Sequence, residues 1–409
     1  MRRSTIAFAL LIFAVAAVLR LLVVLNTTDD PMLDIDQSEY LALAQNIEDH
    51  GVLSYGRFYR WGDPGKLDAP GPYRPTAVRA PLYPAVLALF SMIGADEVVE
   101  MRVVQALLGA GVAALVFLTA LPLFGLRPAV VAGFAMALAP ASLFLSAAIF
   151  SENLFIFLMT LSVWLWGRGQ GVLAGMALGA ATLTRAVVLP FIAILAVLAL
   201  VWRFNRALHF KIVLCAVLVI APWTIRNIET FHRFVPVATL GWGANLFLGT
   251  VDTAYGKDTV WSAVNRDPTY LAIKEAPIYA REAEKRMFDA AVERIAADPL
   301  HWLGVRLRQY PRLFFESPNM IYPLTPLNSS IERALYLLGT VAFLGLAAFG
   351  TVLALRRWRE TYHVMAFPLF ILAAHIPVLT LERYGLPMVP MLIVLAAFAF
   401  SSRRDAYRA

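Results

Sequence analysis

Long apolar runs dominate this chain. They cover 6–25, 102–122, 128–149, 151–167, 171–184, 186–203, 209–225, 333–355, 363–380 and 385–402. About 20 helical residues cross a hydrocarbon core of ~30 Å, so each run predicts a membrane span. A further run from Pro81 to Gly94, about 14 residues, is short for a span and suits an interfacial helix. Gln37–Asp49 predicts a second short surface helix. Two longer segments, 26–101 and 226–332, are rich in Pro, Gly, Tyr, Trp and charge, and the second holds a polar helical stretch from about Ile278 to Ala297. Gly171, Gly175 and Gly179 recur at four-residue spacing within one run, which predicts close helix–helix packing.

Composition supports this reading. Of 409 residues 60% are hydrophobic and only 15% charged, whereas soluble domains lie nearer half apolar and a quarter charged. An ordinary soluble enzyme, a disordered chain and a disulfide scaffold are excluded. Cys215 is the single cysteine, so there is no internal disulfide. The net charge of +7 fits basic cytoplasmic loops. No basic patch interleaved with aromatics accompanies it, so no nucleic-acid partner is expected. Charge also decides the status of 81–94. If this run stays in the interface, ten spans remain and both termini are cytoplasmic. Arg2, Arg3, Arg127, Arg168, the Arg203–Lys211 and Arg356–Arg359 clusters, Arg403, Arg404 and Arg408 then share that side, with only Glu360 and Asp405 as acids. If 81–94 crossed, both clusters would face outward, against the positive-inside rule. Segments 26–101 and 226–332 therefore lie outside. The expected organisation is a membrane module over 1–225 with a catalytic first outer loop, an extracytoplasmic domain over 226–332 and membrane helices over 333–409.

This topology puts Asp34, Asp36, Arg79, Arg102, Glu152, Arg185, Arg226, Glu382 and Arg383 at span ends on the outer side. Charge near hydrocarbon is costly, so such residues pair or line a functional cavity. A ring of both signs suits a substrate with a membrane-bound tail and an anionic head. Asp36 stands just before a helical pattern. It is either a helix cap or a general base toward an attacking hydroxyl, with Asp34 as its competitor. Arg79, Arg185 and Arg383 are either structural, by snorkelling or ion pairing, or donors to a phosphate. Glu152 suits the first turn of a helix. The six histidines show no metal-ligand spacing, and Asp34-Ile35-Asp36 alone is a faint metal signal. No cofactor is called for, although a divalent cation stays compatible. No Walker A, Rossmann fingerprint or GxSxG is present.

A set of short motifs carries a resemblance. They are Asp36-Gln37-Ser38-Glu39-Tyr40, Arg79-Ala80-Pro81-Leu82-Tyr83-Pro84, Leu123-Phe124-Gly125, Ser151-Glu152-Asn153-Leu154, Leu183-Thr184-Arg185, Pro222-Trp223-Thr224-Ile225-Arg226-Asn227, Gly243-Ala244-Asn245-Leu246-Phe247-Leu248-Gly249 and Arg383-Tyr384-Gly385-Leu386-Pro387. In this order, along nearly the whole chain, they resemble the GT-C superfamily of integral-membrane glycosyltransferases, in the branch of protein O-mannosyltransferases and lipid A aminoarabinose transferases. The resemblance implies an all-α polytopic fold with two membrane-parallel helices in the first outer loop. It also implies a sugar donor carried on a polyprenyl phosphate and used on the periplasmic or extracellular side. The family's catalytic Asp, four residues before a Tyr, falls on Asp36. Two departures are Gln37 where members often have Glu, and Ala80 between Arg79 and Pro81.

The expected function is inverting transfer of a hexosyl or pentosyl group to a lipid, glycan or protein acceptor of the envelope. Asp36 is the base. Arg79, Arg185 and Arg383 bind the donor phosphate, and Asp34, Tyr40, Tyr83, Glu152 and Arg226 support the site. No general acid is required because a phosphate leaves without protonation, although Asp36 with Glu152 would form such a pair. The alternatives are a transporter or flippase of a lipid-linked anion, for which two related halves are wanting, and a non-catalytic envelope assembly subunit. The arginine-rich short loops suit a bacterial inner membrane.

Overall fold

The computed structural model describes residues 3–27, 35–56, 73–94, 98–239, 241–252, 263–276, 280–315 and 330–401. Its described residues form helices and no strand. In chain order these are α1 (Arg3–Leu25), α2 (Ile35–His50), α3 (Leu82–Met92), α4 (Val98–Phe124), α5 (Leu126–Leu138), α6 (Pro140–Leu145), α7 (Ser151–Gly167), α8 (Gly171–Thr184), α9 (Leu189–Val201) and α10 (Arg206–Phe231). There follow α11 (Trp242–Leu248), α12 (Pro268–Glu275), α13 (Ala280–Ala297), α14 (Pro299–Gln309), α15 (Arg312–Phe315), α16 (Ser330–Leu355), α17 (Trp358–Ala374), α18 (Glu382–Gly385) and α19 (Val389–Ala397).

Among the described residues five helices are long and apolar enough to cross a membrane: Arg3–Leu25, Val98–Phe124, Arg206–Phe231, Ala334–Leu355 and Glu382–Phe400. Their outward faces carry exposed leucines such as Leu10, Leu22, Leu335 and Leu338. The chain is an integral membrane protein. The other runs form shorter helices, such as α5 and α9 with 13 residues each. The helix α3, with 11 residues, is about 16 Å long and too short to cross.

Two expected spans are broken. The run 128–149 ends its first helix at Leu138, because Pro140 lacks the N–H that would continue the ladder. The carbonyls of Met136 and Ala137 thereby lose their helical partners. Arg20, fully buried on α1, donates to both at 3.2 Å and to the Ser142 hydroxyl at 3.0 Å. The run 363–380 stops at Ala374. Residues 375–381 are irregular and tied down by Arg306, whose Nε donates to the Ile376 carbonyl at 2.9 Å, and by Leu379, whose N–H donates to the Asn245 carbonyl at 2.9 Å. Non-helical backbone at such depth survives only where protein satisfies it. In both places a buried arginine does so.

The glycine spacing has the packing role expected of it. A Cβ on Gly175 would run into the Ile212 carbonyl oxygen and the Cβ of Cys215, and one on Gly179 into Val219 and Ala216, so α8 and α10 touch backbone to backbone. Gly175→Val is expected to destabilise this pair by about 1–3 kcal/mol. The drop should be visible as a lower melting temperature in detergent, with Gly339→Ala on α16, where nothing lies near the added carbon and the backbone is not left-handed, as the open-space control.

Outside the bundle, α2 and α3 pack through Tyr40 and Tyr83, whose rings meet edge to face at 4.8 Å. Helices α11 to α13 share a small core of Phe247, Val264 and Ala291, joined by Leu379. The polar stretch expected over 278–297 is α13. Its Glu284 carboxylate accepts the Gly241 and Gly243 N–H groups at 3.0 and 2.9 Å. That contact holds the turn into α11.

Candidate active site

The first turn of α2, the loop before α3, the start of α7, the α8–α9 junction and α18 meet at one place. Asp36 lies inside the first turn of α2. One oxygen accepts from Arg79 Nη2 at 2.5 Å and the other from Arg383 Nη1 at 2.6 Å. Arg79 is shared: its Nε and Nη2 also reach Glu39 Oε2 at 2.8 and 2.6 Å. Alongside, Arg185 pairs with buried Glu152 at 2.6 Å and donates to the Ser151 hydroxyl at 3.2 Å. That hydroxyl also accepts from Tyr40 at 3.0 Å. The ring of Tyr384 joins the two halves, with Arg383 5.3 Å and Arg185 5.9 Å from its centroid.

Local sequence explains why each group stays there. Residues 76–79 are pinned by backbone bonds from Thr76 N to the Leu53 carbonyl (2.8 Å) and from Thr239 N to the Ala77 carbonyl (2.7 Å). Arg226 donates to the Thr76 carbonyl at 3.2 Å and stacks over Trp223 at 4.5 Å. It thus acts on the site through the Arg79 segment. Residues 146–150, non-helical before α7, are held by Gln37, which accepts the Ile149 N–H at 3.1 Å, and by Gln105, which donates to the Ala148 carbonyl at 2.6 Å. This lays Phe150 against Arg383, 5.5 Å from guanidinium to ring centre. Tyr83 is buried one layer back and donates to Gln105 at 2.8 Å.

The structure therefore brings together Asp36, Arg79, Arg185, Arg383, Tyr40 and Glu152. Arg102 is buried near the start of α4, and Glu382 is buried and accepts from the Tyr336 hydroxyl. Asp34 lies outside the described residues, as do Arg2, Arg403, Arg404 and Arg408. Sequence reasoning missed Glu39, Ser151 and Tyr384 as site residues. Glu39 and Tyr384 stood inside quoted motifs, three residues after Asp36 and one after Arg383, so helical spacing and adjacency were the available signals. Among the described residues no three His, Cys, Asp or Glu side chains converge as metal ligands.

The electrostatics are lopsided toward the arginines. Burial alone would raise the Asp36 carboxyl, but Arg79 and Arg383 hold it well below the usual carboxylate range. A lowered carboxyl stabilises the fold fully above its unfolded value of about 4. The contribution is lost only as pH falls through the folded value. The melting-temperature difference between wild type and Asp36→Asn should therefore be constant from about pH 8 to about pH 5. It should shrink as the pH falls from about 4 toward the folded value, and a difference that stays flat there as well would show that the arginines do not hold the carboxyl down.

The fold is shared with solved membrane enzymes. The chain is similar to the Archaeoglobus fulgidus oligosaccharyltransferase tethered to an acceptor peptide containing the NVT sequon, with a TM-score of 0.57, 14% identity, and 98% of this chain covering 50% of that one. It is similar in the same proportions, at a TM-score of 0.55, to the archaeal oligosaccharyltransferase AglB from that organism in complex with an inhibitory peptide and a dolichol-phosphate. ArnT from Cupriavidus metallidurans in the apo state follows at a TM-score of 0.44 and 15% identity, with 97% of this chain covering 78% of that one. The chain spans about half the length of the oligosaccharyltransferase. No family model matches the sequence, and no curated protein does. At these identities the likeness is one of fold: the all-helical membrane architecture expected from the motifs is one the chain shares with the oligosaccharyltransferase.

Proposed function

We propose that the chain is a glycosyltransferase that moves a sugar from a polyprenyl-phosphate carrier to an envelope acceptor. The observation that carries this reading is Asp36 held between Arg79 and Arg383, at the mouth of a GT-C fold. A dolichol-phosphate in the similarly folded AglB complex supports a lipid phosphate as the carrier. In the proposed topology ten spans place the site at the periplasmic or extracellular face of a bacterial inner membrane. The 26–101 loop forms its floor, and the 226–332 domain shapes the acceptor entrance.

An acceptor oxygen attacks the anomeric carbon and Asp36 takes its proton. The bond from that carbon to the phosphate oxygen breaks with inversion, and its electron pair leaves on the lipid phosphate. Arginine donors already in place stabilise that charge without reorganising.

A carboxylate clamped by two guanidiniums is a poor base, so the donor has a second effect. Its phosphate competes with Asp36 for the arginines. Arg79 keeps Glu39 as an anchor, whereas Arg383 has Asp36 as its ion-pair partner and a buried Nε with no partner among the described residues. Arg383 therefore turns to the phosphate, and Asp36 regains basicity when the donor is bound. Arg185, fixed by Glu152 and Ser151, supplies the next positive charge.

Mass spectrometry of envelope glycolipids, polysaccharides and glycoproteins tests the reading in wild-type, deletion and complemented strains. Loss of one sugar mass from one product on deletion, restored by complementation, is expected, and that mass identifies the sugar and the acceptor class. An unchanged glycan profile would overturn the proposal.

A further inference from the structure

Far from the carboxylate–arginine cluster, at the other end of α7, four chain segments enclose a cavity of about 340 Å³. Ser151 opens α7 at the cluster and Gly167 closes it at the cavity, so about 24 Å of helix separates the two. The walls are the end of α4, the α7–α8 turn, the α9–α10 turn and the first turns of α17. The volume lies at the lower end of the range for small-ligand pockets, about 300–1,000 Å³.

The chemistry of the walls is divided. One side is apolar, with Leu118, Pro122 and Leu123. The rim carries Arg168 and Arg359. Each guanidinium lies over an aromatic face, Arg168 over Trp164 at 5.6 Å and Arg359 over Trp358 at 5.4 Å and Phe204 at 6.0 Å. Stacking fixes the plane of a guanidinium and leaves its N–H edge available. Among the described residues neither arginine has a carboxylate partner, whereas Glu360 on the same rim is taken by Arg357.

The floor is preorganised. The Tyr362 hydroxyl accepts the Trp166 indole N–H and the Asn205 amide, both at 3.1 Å, and meets His209 Nε2 at 3.3 Å. These three contacts hold the Tyr362 ring in place. Asn205 holds a left-handed backbone, φ 53°, a conformation uncommon outside glycine and enriched at functional loops. Buried His363 lies against Gly167, where any side chain would collide with its Nε2.

We infer that this cavity binds the phosphate headgroup of a lipid in the leaflet opposite the active site. Arg168 and Arg359 clamp the phosphate oxygens, and the headgroup rests on Tyr362 and His363. The first carbons of the chain leave past Leu118 and Leu123. Cations stacked on rings beside an apolar wall fit an anionic amphiphile better than a soluble anion. The phosphate belongs to either an anionic glycerophospholipid or a polyprenyl phosphate.

Photo-crosslinking in nanodiscs tests this. The full chain is reconstituted with diazirine-bearing phosphatidylcholine, phosphatidylglycerol or polyprenyl monophosphate, and labelled peptides are mapped by mass spectrometry. An anionic probe should label the 164–169 and 359–363 peptides at least fivefold above phosphatidylcholine. The probe that does so names the source. The Arg168→Ala/Arg359→Ala double variant should abolish the excess. Leu118→Trp, which fills the cavity and leaves both arginines in place, should do the same and guards against a folding defect in the double variant. Equal labelling by phosphatidylcholine, or an excess that survives both variants, would overturn the site and leave ordinary annular lipid.

Discussion

Asp36→Asn is expected to lower the transfer rate by about 10²–10⁴-fold, the usual yield of a positioned general base, or roughly 3–5 kcal/mol on the barrier. Asparagine has nearly the same shape, so the packing of α2 against α3 and α7 should survive. It cannot take the acceptor proton. The informative part is the donor. In the proposed mechanism Asp36 and the donor phosphate compete for the arginines, so removing the carboxylate frees Arg383 and leaves Arg79 on Glu39. Donor affinity should hold or tighten while turnover collapses. A fluorescent polyprenyl phosphate titrated against both proteins, with transfer measured in parallel, reads the two quantities separately. A transporter would keep moving its cargo in this variant, and an assembly subunit would be indifferent to it. Wild-type turnover in Asp36→Asn would remove Asp36 from the mechanism.

The parts of this structure legible in the sequence were those written locally. Asp36 to Tyr40 announced α2, the short run after Pro81 announced α3, and glycines at every fourth position announced the α8–α10 contact. Hydropathy failed where a polar side chain repairs a broken helix. Nothing local gives Arg20, inside an apolar run, a partner, yet it satisfies carbonyls 116 and 117 residues away and allows the break at Pro140. Arg306 does the same for the segment after α17. The charged ring was foreseen as a set of span ends, but not its pairing. Arg383 and Asp36 are separated by 347 positions, and nothing local says that Arg79 divides itself between Asp36 and Glu39, or that Ser151 sits between Tyr40 and Arg185. Pairings of this kind depend on how rigid helices stack, which periodicity does not encode. Glu39 is the instructive miss. It shares a helix turn with Asp36, and it is what keeps Arg79 in place if a phosphate draws Arg383 away.

Arg383→Ala should be the other severe variant, for a different reason. The irregular 375–381 segment delivers this arginine to α18, and Phe150 and Tyr384 flank its guanidinium. In the proposed mechanism it is the group handed from base to phosphate. Losing a preorganised donor to a developing anion lowers the rate by about 10²–10³-fold, and the loss should include a raised donor KM. The pH profile carries the specific prediction. With one of its two cations gone, the Asp36 carboxyl moves upward toward the ordinary carboxylate range. The acid limb of kcat/KM, which reports the free enzyme, should therefore move to higher pH. Arg383→Lys keeps a point charge but not the two-pronged geometry. It should shift that limb less while recovering little of the rate, because a single ammonium cannot hold Asp36 and phosphate oxygens in turn along the same edge. An alanine variant with unchanged donor KM and an unmoved acid limb would make Arg383 a structural partner of Asp36 and nothing more.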